Sequence, residues 1–525
     1  MNFKIEKNIQ PFYYQPKVYN WIFVGLLIVV SFVYQYHNIF LLRPQSLHQW
    51  RQCDCLSITM NFFKEGMHFF NPSVHCQGAE GGMSGHTISE FPIIYFFVAF
   101  LWQLFGHHEW IFRLVEMLIV FTGFFALFKM TEDILKDSLW AIGVVFLLFS
   151  SPMLVFYTNN FIANTPALGF ALIALYFFWQ FYKLKKKKYF YFSLLFYLVA
   201  GLIKITSLIS FIAILFVFAL ELFGIYKFKN GNRIFEKPIQ YILPFLLLVI
   251  AIFSWFYYAH SYNASHGAGF FLIGVLPIWN LDNEIIINIW KSVKSFWADQ
   301  YFNNSVLIVS AVFLLALIVF FKKINKFFAT VTIVIFIGVI SYLMLFYKVL
   351  AYHDYYLINL LIIIPFIFIS VILYLKEKHR QIFNSIFLRI AFFILIGYSI
   401  SYSAKNIKER YWGWMNNYHE KLYKDLEDIT PYLRSLGIER TDKVISLPDG
   451  SFNISLYLMD QKGWTDFCGI SKSAEQIENK IELGAEYLII TNKKVYEEKY
   501  VQPYIKNKIA SYKSVDIYEL SSSQE

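Results

Sequence analysis

Charged residues are scarce in this 525-residue chain. Lys, Arg, Asp and Glu together make up 16% of it, against about 25% in an average soluble protein. Hydrophobic residues reach 57% and aromatic residues 21%. A soluble enzyme needs a charged surface that this composition does not supply, and a disordered chain would hold far fewer apolar residues. The composition therefore predicts one large integral membrane protein.

Cysteine is also rare. The four cysteines, Cys53, Cys55, Cys76 and Cys468, are too few for a disulfide scaffold. We expect unpaired thiols at Cys53, Cys55 and Cys76. A disulfide between Cys76 and either Cys53 or Cys55 is the alternative in an oxidising compartment.

Standard zinc-ligand spacing is absent as well. The segment from residue 48 to residue 86 holds three cysteines and four histidines. They form neither a C-x₂-C nor an H-x₃-H pattern. We therefore expect no metal ligands and no cofactor, and a divalent cation is the alternative that stays open.

No small-residue cleavage site follows the first apolar run. This run begins near Trp21, after Lys4, Lys7 and Lys17, and a removable signal peptide would carry such a site. We therefore expect the run to stay in the protein as a signal-anchor helix.

Basic residues exceed acidic ones, but only in part of the chain. The net charge is +10 overall, with −2 on residues 404–525 and +12 on the first 403 residues. A basic excess within a membrane region is typical of charges that set topology and contact lipid headgroups. No basic stripe with interleaved aromatic residues stands outside the hydrophobic segments, so we expect the lipid bilayer as a partner and no nucleic acid.

Long apolar runs fill the first 403 residues. A helix that crosses the hydrocarbon core needs about 20 apolar residues. Eleven runs approach this length: 20–41, 110–130, 139–157, 165–182, 189–204, 206–226, 239–259, 305–321, 327–347, 356–375 and 382–403. The sequence thus predicts an α-helical polytopic membrane protein with about eleven transmembrane helices.

Clusters of lysine and arginine predict the orientation, because short cytoplasmic loops carry the basic residues. The connectors 183–188, 227–237, 322–326 and 376–380 then lie in the cytoplasm together with the N-terminus. With this assignment the shorter apolar run Phe91–Phe105 begins and ends outside, which predicts a juxtamembrane or re-entrant helix in the outer leaflet.

The same assignment predicts where function lies. Two long loops, about 42–109 and 260–304, fall on the extracytoplasmic side, as does the C-terminal region. The cytoplasmic loops are short and basic. We therefore expect a multi-pass protein of the inner (plasma) membrane that acts on its extracytoplasmic face.

The chain divides into a membrane domain, residues 1–403, and a C-terminal domain, residues 404–525. In the second, "DKVISLPDG", "AEYLIITN" and "SVDIYEL" predict three strands. "NISLYLMDQ" and "SAEQIENKIELG" predict two helices, of which the second ends at Gly484. This pattern is typical of a small α/β domain.

Ionisable residues are dense in the first long loop, where His48, Arg51, Asp54 and Glu90 stand out. The segment "QCDCLSITMNFFKEG" predicts a short amphipathic helix that ends at Gly66, with Asp54 near its N-terminus. The helix dipole favours a carboxylate there, and a carboxylate that faces a membrane cavity can act as a base toward a hydroxyl group. Simple helix capping by Asp54 is the alternative.

Six segments carry a family resemblance. They are "HQWRQCD" at 48–54, "FFKEGMHFFNP" at 62–72, "EFPIIYFFVAFLWQLFGHHEWIFRL" at 90–114, "NNFIANTPALGF" at 159–170, "GLIKITSL" at 201–208 and "HDYYLINL" at 353–360. In order and placement the chain resembles the GT-C-type glycosyltransferases that use polyprenyl-phosphate-sugar donors, such as aminoarabinose transferases of lipid A and protein O-mannosyltransferases. The resemblance implies a GT-C-like fold, Asp54 as the catalytic carboxylate, Glu90 as a second active-site acid, and Phe91–Phe105 as a juxtamembrane helix.

Two positions depart from those families. Asn164 stands where related sequences often have Asp, and an amide can bind a sugar or orient a neighbour but cannot act as a base. Phe91 stands where aminoarabinose transferases typically have Lys. The resemblance therefore implies that another cation contacts the donor phosphate, and that the sugar can differ as well.

Lys204 is the candidate for that cation. It lies between apolar runs at the outer end of segment 189–204, where an ionisable residue is costly and functional by default. Its ammonium group would neutralise the phosphate, and His353 and Tyr356 would add hydrogen bonds. We expect His48 and Arg51 to complete the substrate-binding residues. Interfacial snorkelling of Lys204 and an aromatic belt around Tyr356 are the alternatives.

Together these residues predict a membrane glycosyltransferase that moves a sugar from a polyprenyl phosphate to a glycan, lipid or protein acceptor. The lipid phosphate leaves as an anion, so one base for the acceptor and cations for the phosphate suffice. Direct attack opposite the phosphate inverts the anomeric centre.

Two other classes of protein stay open. A polytopic lipid or glycan transporter or flippase would explain the helices but not the ionisable first loop. An O-antigen polymerase or ligase would be expected to hold arginines in a late loop, and residues 260–304 contain none.

Overall fold

The computed structural model describes residues 16–520 except positions 82, 230, 273, 469 and 471. Helices build the body of the protein, and five strands form one sheet near the C-terminal end. The predicted architecture, a helical polytopic body with a small C-terminal α/β domain, is confirmed. Lys4 and Lys7, which contributed to the predicted signal anchor, lie outside the described residues.

The first helices lead from the membrane body into the first long loop. Their bounds are α1 (Pro16–Val33), α2 (Tyr36–Ile39), α3 (Gln49–Glu65) and α4 (Ile93–Phe105). Helix α1 covers most of the first apolar run, and it packs Phe23 on Phe128 with 4.6 Å between ring centroids. Its other face is apolar and exposed, as at Trp21, which suits contact with lipid.

The remaining helices of the body are α5 (Glu109–Leu135), α6 (Ser138–Leu148), α7 (Pro152–Thr158), α8 (Asn164–Leu184), α9 (Lys187–Ile203), α10 (Ile209–Leu222), α11 (Ile239–Ser265), α12 (Asn283–Ser292), α13 (Ala298–Tyr301), α14 (Asn304–Val319), α15 (Lys326–Leu345), α16 (Ile363–Lys378), α17 (Arg380–Phe383) and α18 (Ile386–Trp412). Most of them match the predicted apolar runs in position, whereas α12 and α13 lie in the predicted loop 260–304 and α17 lies at the connector before the last run.

The count of eleven transmembrane helices is not confirmed. Among the described residues, seven helices are long and apolar enough to cross a membrane, and the count reaches nine if each of two bent helix pairs is one span. The first pair bends by 83° between α6 and α7, and the second by 91° between residues 283–301 and α14. Helix α7 begins with Pro152 and Ser151 caps it, which explains the first break because Pro favours the first helical turn.

Small residues allow two helices of the body to pack closely. A Cβ atom added at Gly123 of α5 would lie 2.7 Å from the carbonyl oxygen of Gly169 on α8. Close approach at small residues is typical of helix packing in membranes. This contact holds α5 and α8 together.

Helix α4 lies where the sequence predicts a helix that does not cross the bilayer. It has 13 residues, which is fewer than a span requires. Its buried side chains include Tyr95 and Trp102, whereas Phe97, Phe100 and Leu104 are exposed. One face thus packs on the protein and the other is free to contact lipid, as expected of a helix that lies at a membrane surface.

The C-terminal domain contains one mixed sheet in the order β2-β1-β3-β5-β4. Its elements are α19 (Asn417–Leu422), α20 (Thr430–Ser435), β1 (Lys443–Leu447), α21 (Ile454–Met459), β2 (Gly463–Thr465), α22 (Ala474–Glu482), β3 (Ala485–Ile490), β4 (Lys508–Tyr512) and β5 (Val515–Glu519). Strand β1 pairs in parallel with β2 and β3, and β5 pairs antiparallel with β3 and β4. The three predicted strands and both predicted helices are present, and β2 and β4 are additional.

Polar contacts join this domain to the first loop and to α5. Arg43 donates to Glu109 and to the backbone carbonyls of Glu427 and Leu458. Arg440 donates to Asp460 of its own domain and to Glu65 at the end of α3. Helix α18 runs without a break from the body past residue 403 to Trp412. The domain therefore rests directly on the segments that carry the ionisable residues of the first loop.

The predicted orientation of α4 can be tested by cysteine labelling. Met83→Cys and His108→Cys place thiols at exposed positions on either side of α4. Because the basic-loop assignment keeps both sides of α4 outside, a membrane-impermeant maleimide should label both variants in intact cells. Lys188→Cys, in a basic connector, should label only after permeabilisation. Cytoplasm-only labelling at position 108 would show that α4 crosses the bilayer and that the assignment is wrong.

Candidate active site

A cavity of about 650 Å³ lies between the first loop, the ends of several membrane helices and the C-terminal domain. Seven of the eight predicted site residues line it: His48, Arg51, Asp54, Glu90, Lys204, His353 and Tyr356. They come from segments up to 308 positions apart in the chain. The structure therefore brings together the residues that the sequence predicted to share a site.

Asn164 is the exception. Its amide is buried and donates to the backbone carbonyl of Tyr355 with 3.1 Å between the atoms, and it is not among the residues that line the cavity. Tyr355 itself lines the cavity. Asn164 thus orients a neighbour, which is one of the two roles that an amide at this position allows.

Helix α3 positions Asp54 and Arg51 on the wall of the cavity. It begins at Gln49 and ends before Gly66, as predicted at that end, but most of its residues are buried and it is not a surface amphipathic helix. The C-terminal domain covers it, which a local hydrophobic pattern does not reveal. Asp54 is the sixth residue of α3, and its carboxylate accepts a hydrogen bond from Asn453 Nδ2 at 2.8 Å.

The carboxyl of Asp54 is 2% exposed, and its environment sets an unusual pKa. Burial raises the pKa, whereas the nearby Arg51 and the hydrogen bond from Asn453 lower it, and the balance is a pKa of about 7. A carboxyl with this pKa can take up and release a proton near neutral pH, which is what a general base must do.

Arg51 and Glu90 form a tight ion pair. The Nη2 atom of Arg51 lies 2.5 Å from each carboxylate oxygen of Glu90, and the Tyr95 hydroxyl also donates to this carboxylate. Burial would raise the pKa of Glu90, but Arg51 and Lys204 hold it below its usual range. Glu90 is therefore an ionised acceptor. The Nη1 atom of Arg51 is buried and has no hydrogen-bond partner among the described residues.

Lys204 lies between two helical segments at the cavity. Helix α9 ends at Ile203, Lys204 is extended, and a 3₁₀ turn begins at Ile205. The ammonium group lies 5.1 Å from the ring centroid of Tyr356, and in the described part of the chain it forms no hydrogen bond or ion pair. A cation with an aromatic neighbour and no direct hydrogen bond to a carboxylate is suited to bind an anion.

Asp354 is a site residue that sequence reasoning missed. Its buried carboxylate lies 3.1 Å from His48 Nε2 and 3.4 Å from Arg410 Nη2, and the Tyr157 hydroxyl donates to it at 2.6 Å. It fixes the ring of His48 at the cavity. The available signal was an acidic residue at the start of an apolar span, which is functional by default. Next to it, burial and His48 lower the pKa of His353 to about 4, so this ring is neutral at pH 7.

Three residues of the C-terminal domain also belong to the site, and sequence reasoning missed them. Phe452 and Phe467 line the cavity, and Asn453 binds Asp54. Phe452 and Asn453 follow β1 in the chain, and Phe467 follows β2. A signal was present in principle, because ligand sites of α/β domains lie beyond the carboxyl ends of parallel strands.

The predicted state of the cysteine thiols is confirmed for two residues and wrong for a third. Cys53 and Cys55 are buried and free, as predicted, and burial raises the pKa of Cys55 to about 12. Cys76 is disulfide-bonded, so the prediction of an unpaired thiol there is wrong, as is the alternative pairing with Cys53 or Cys55. The physical reason is that Cys76 lies against Gly463 of the C-terminal sheet, a contact between distant parts of the chain that a local pattern does not show.

In the part of the chain that the structure describes, no group of three or more His, Cys, Asp or Glu side chains has the geometry of a metal site.

This chain is similar to proteins of known family and structure. A family model described as dolichyl-phosphate-mannose-protein mannosyltransferase matches residues 89–258, which include Glu90, α4 and Lys204. No curated protein matches the sequence.

Solved structures are similar over nearly the whole chain. ArnT from Cupriavidus metallidurans in the apo state aligns with a TM-score of 0.60 at 11% identity, over 97% of this chain and 99% of ArnT. The same protein bound to undecaprenyl phosphate gives a TM-score of 0.58 at 12% identity, again over 97% and 99%. The oligosaccharyltransferase of Archaeoglobus fulgidus gives 0.55 at 12% identity, over 89% of this chain and 69% of that one. The protein therefore has the fold of the GT-C glycosyltransferases, and the resemblance inferred from the six segments is confirmed.

The raised pKa of Asp54 has a measurable consequence. An unfolded Asp has a pKa of about 3.9, so the native state binds the proton more tightly between about pH 4 and pH 7. This contribution to stability is fully present below about pH 4 and is lost as the pH rises through 7. The melting temperature of the wild type should therefore decrease relative to that of Asp54→Asn as the pH rises over this window.

The measurement is thermal unfolding in detergent from pH 4.5 to pH 8. Asp282→Asn, at an exposed carboxylate of the second loop, is the control, and its difference from wild type should not follow the same curve. Parallel wild-type and Asp54→Asn curves would mean that Asp54 titrates as an ordinary Asp.

Proposed function

We propose that this protein is a glycosyltransferase that moves a sugar from a polyprenyl-phosphate donor to an acceptor on the extracytoplasmic face of the inner (plasma) membrane. The observation that carries the proposal is the cavity, where a buried carboxyl with a pKa of about 7 lies beside two cationic donors. These donors, Lys204 Nζ and Arg51 Nη1, have no hydrogen-bond partner among the described residues. The GT-C fold and the match to the mannosyltransferase model support the same reaction class.

The donor's lipid phosphate would bind at Lys204 and Arg51. Both groups have donors to spare, and Tyr356 lies beside Lys204. The cavity also reaches apolar residues of the membrane helices, among them Phe256, Phe346 and Ile205, of which the last is 48% exposed. A polyprenyl chain can therefore remain among the helices while its phosphate lies at the cations. The structures of ArnT bound to undecaprenyl phosphate and of the Archaeoglobus fulgidus oligosaccharyltransferase AglB with an inhibitory peptide and a dolichol-phosphate support a donor of this class.

Asp54 would act as the general base. As the acceptor oxygen or nitrogen attacks the anomeric carbon, its proton passes to the Asp54 carboxylate. The bond from that carbon to the phosphate oxygen breaks, and the electron pair leaves with the phosphate, whose charge Lys204 and Arg51 stabilise. Attack opposite the phosphate inverts the anomeric centre. The leaving phosphate needs no proton, so the two-acid arrangement of glycosidases is not required.

Glu90 and His48 would hold the site in shape. Glu90 fixes Arg51 through the ion pair, and Asp354 fixes the ring of His48. Both side chains also line the cavity and can orient the acceptor, which is a glycan, a lipid or a protein. His353 is neutral at pH 7 and can donate or accept a hydrogen bond at the donor.

The role of Lys204 predicts a loss of donor-lipid binding. Lys204→Ala removes a charge-assisted contact worth roughly 1.5–3 kcal/mol, so the Kd for undecaprenyl phosphate should rise about tenfold or more. Lys204→Arg should keep part of the affinity as another cation. The measurement is binding of undecaprenyl phosphate to the purified protein in detergent, with Lys188→Ala as the control. Unchanged affinity in Lys204→Ala would assign Lys204 to interfacial snorkelling.

The role of Asp54 predicts a loss of turnover without a loss of binding. Asp54→Asn keeps the size of the side chain and can still accept a hydrogen bond from Asn453, but it cannot take the acceptor's proton. Turnover should fall by at least about 100-fold while undecaprenyl phosphate still binds. Glu90→Gln should retain more activity, because it changes a residue that orients others.

The measurement is release of free polyprenyl phosphate in a single turnover, with a panel of polyprenyl-phosphate sugars as donors. Asp282→Asn is the matched control. Wild-type transfer by Asp54→Asn would exclude Asp54 as the base, and a transporter would release no polyprenyl phosphate from any donor.

A further inference from the structure

Asn453 of the C-terminal domain is held between two partners. Its Oδ1 atom accepts a hydrogen bond from the backbone N–H of Cys76 at 2.9 Å, and its Nδ2 atom donates to Asp54 Oδ1 at 2.8 Å. The side chain is fully buried. A backbone N–H can only donate, so it fixes which end of the amide is the oxygen. The end that faces Asp54 is therefore a donor, and it favours the ionised carboxylate.

The position of Asn453 makes this contact unexpected. It directly precedes α21, where an Asn normally accepts a hydrogen bond from the first turn of the helix. Here it forms no such bond. Instead, Ser451 Oγ accepts from the N–H of Ile454, and Asp449 Oδ2 accepts from the N–H of Ser455. Two other side chains satisfy the helix start, and Asn453 is free to bind Asp54.

The loops that follow strands β1 and β2 lie at one edge of the sheet, and this edge faces the cavity. Strands β1 and β2 are parallel, and the residues that line the cavity, Phe452 and Phe467, follow β1 and β2 respectively. The carboxyl ends of parallel strands are the usual place for ligand contacts in an α/β domain. The domain thus closes the cavity with the part of its fold that is best suited to a ligand.

We infer that the C-terminal domain completes the active site, with Asn453 as a positioning residue that holds one oxygen of Asp54 and with Phe452 and Phe467 as the wall beside the acceptor. The inference rests on the proposed role of Asp54 as base. The second oxygen of Asp54, Oδ2, has no hydrogen-bond partner among the described residues and is left for the acceptor's proton. An acceptor that binds here contacts both domains, and neither domain alone would carry out the transfer.

The test uses the full chain with Asn453→Asp. This change keeps an oxygen for the N–H of Cys76 and replaces the donor at Asp54 by a second carboxyl oxygen. Two carboxylates in contact cannot both ionise easily, so the proton affinity of Asp54 should rise. Asn492→Asp is the matched control, because Asn492 is in the same domain and its oxygen caps a turn through the N–H of Lys494. Asn453→Ala is the second variant, which removes both contacts without adding a charge.

Two readouts separate the inference from the proposed function. The first is infrared titration of the Asp54 carboxyl, identified as the band that Asp54→Asn removes. The second is the pH profile of polyprenyl-phosphate release. In Asn453→Asp, the infrared titration and the pH profile should both move to higher pH by about one unit or more. In Asn453→Ala, both should move in the same direction. In Asn492→Asp, neither should move.

The outcomes are distinct. An infrared titration that is unchanged in both Asn453 variants would overturn the inference, whatever the activity. A shifted titration with an unshifted pH profile would support the contact and overturn Asp54 as the base. Shifts in both readouts, with melting temperatures close to that of Asn492→Asp, would support the positioning role.

Discussion

A charge that is removed from water must find a partner, and this constraint organises the whole site. Charged side chains near the bilayer are costly unless they are paired and hydrogen-bonded. Arg51 is paired with Glu90, and Asp354 is paired with His48 and Arg410. Once these pairs are formed, Lys204 Nζ and Arg51 Nη1 are left over as donors within the described residues. The cavity therefore offers donors for an anion, which in the proposed function is the phosphate of the lipid donor.

The same constraint explains why the first loop and the C-terminal domain form one unit. Helix α3 carries Arg51 and Asp54, and it is too polar to pack against lipid. The C-terminal domain covers it and supplies polar partners: Arg440 and Lys462 contact Glu65, and Asn453 contacts Asp54. Removal of the domain would expose these groups to water and would remove the donor that holds Asp54. Its contribution is thus chemical as well as structural.

Sequence reasoning found what is local and missed what depends on long-range contacts. Apolar runs predicted most of the helices, and short apolar segments predicted the positions of β1, β3 and β5. The short strand β2 and the exposed strand β4 had no such pattern. Asp54 and Lys204 were found because an ionisable residue beside apolar runs is conspicuous. Asn453 was not found, because it contacts a residue 399 positions away, Asp54. A single sequence does not record which surfaces of two domains are in contact. The prediction of an unpaired thiol at Cys76 was wrong for the same reason, because the contacts of Cys76 are also long-range.

The pKa of Asp54 is the point at which the two domains act together. Burial alone would keep this carboxyl protonated, and a protonated acid cannot accept a proton. A fully solvated carboxylate would be ionised but too weak a base at neutral pH. Arg51 on the same helix and Asn453 from the other domain each favour the ionised form, and the balance with burial lies at about 7. In the proposed reaction this value suits both stages, because the carboxylate must take a proton from the acceptor and then release it to water before the next turnover.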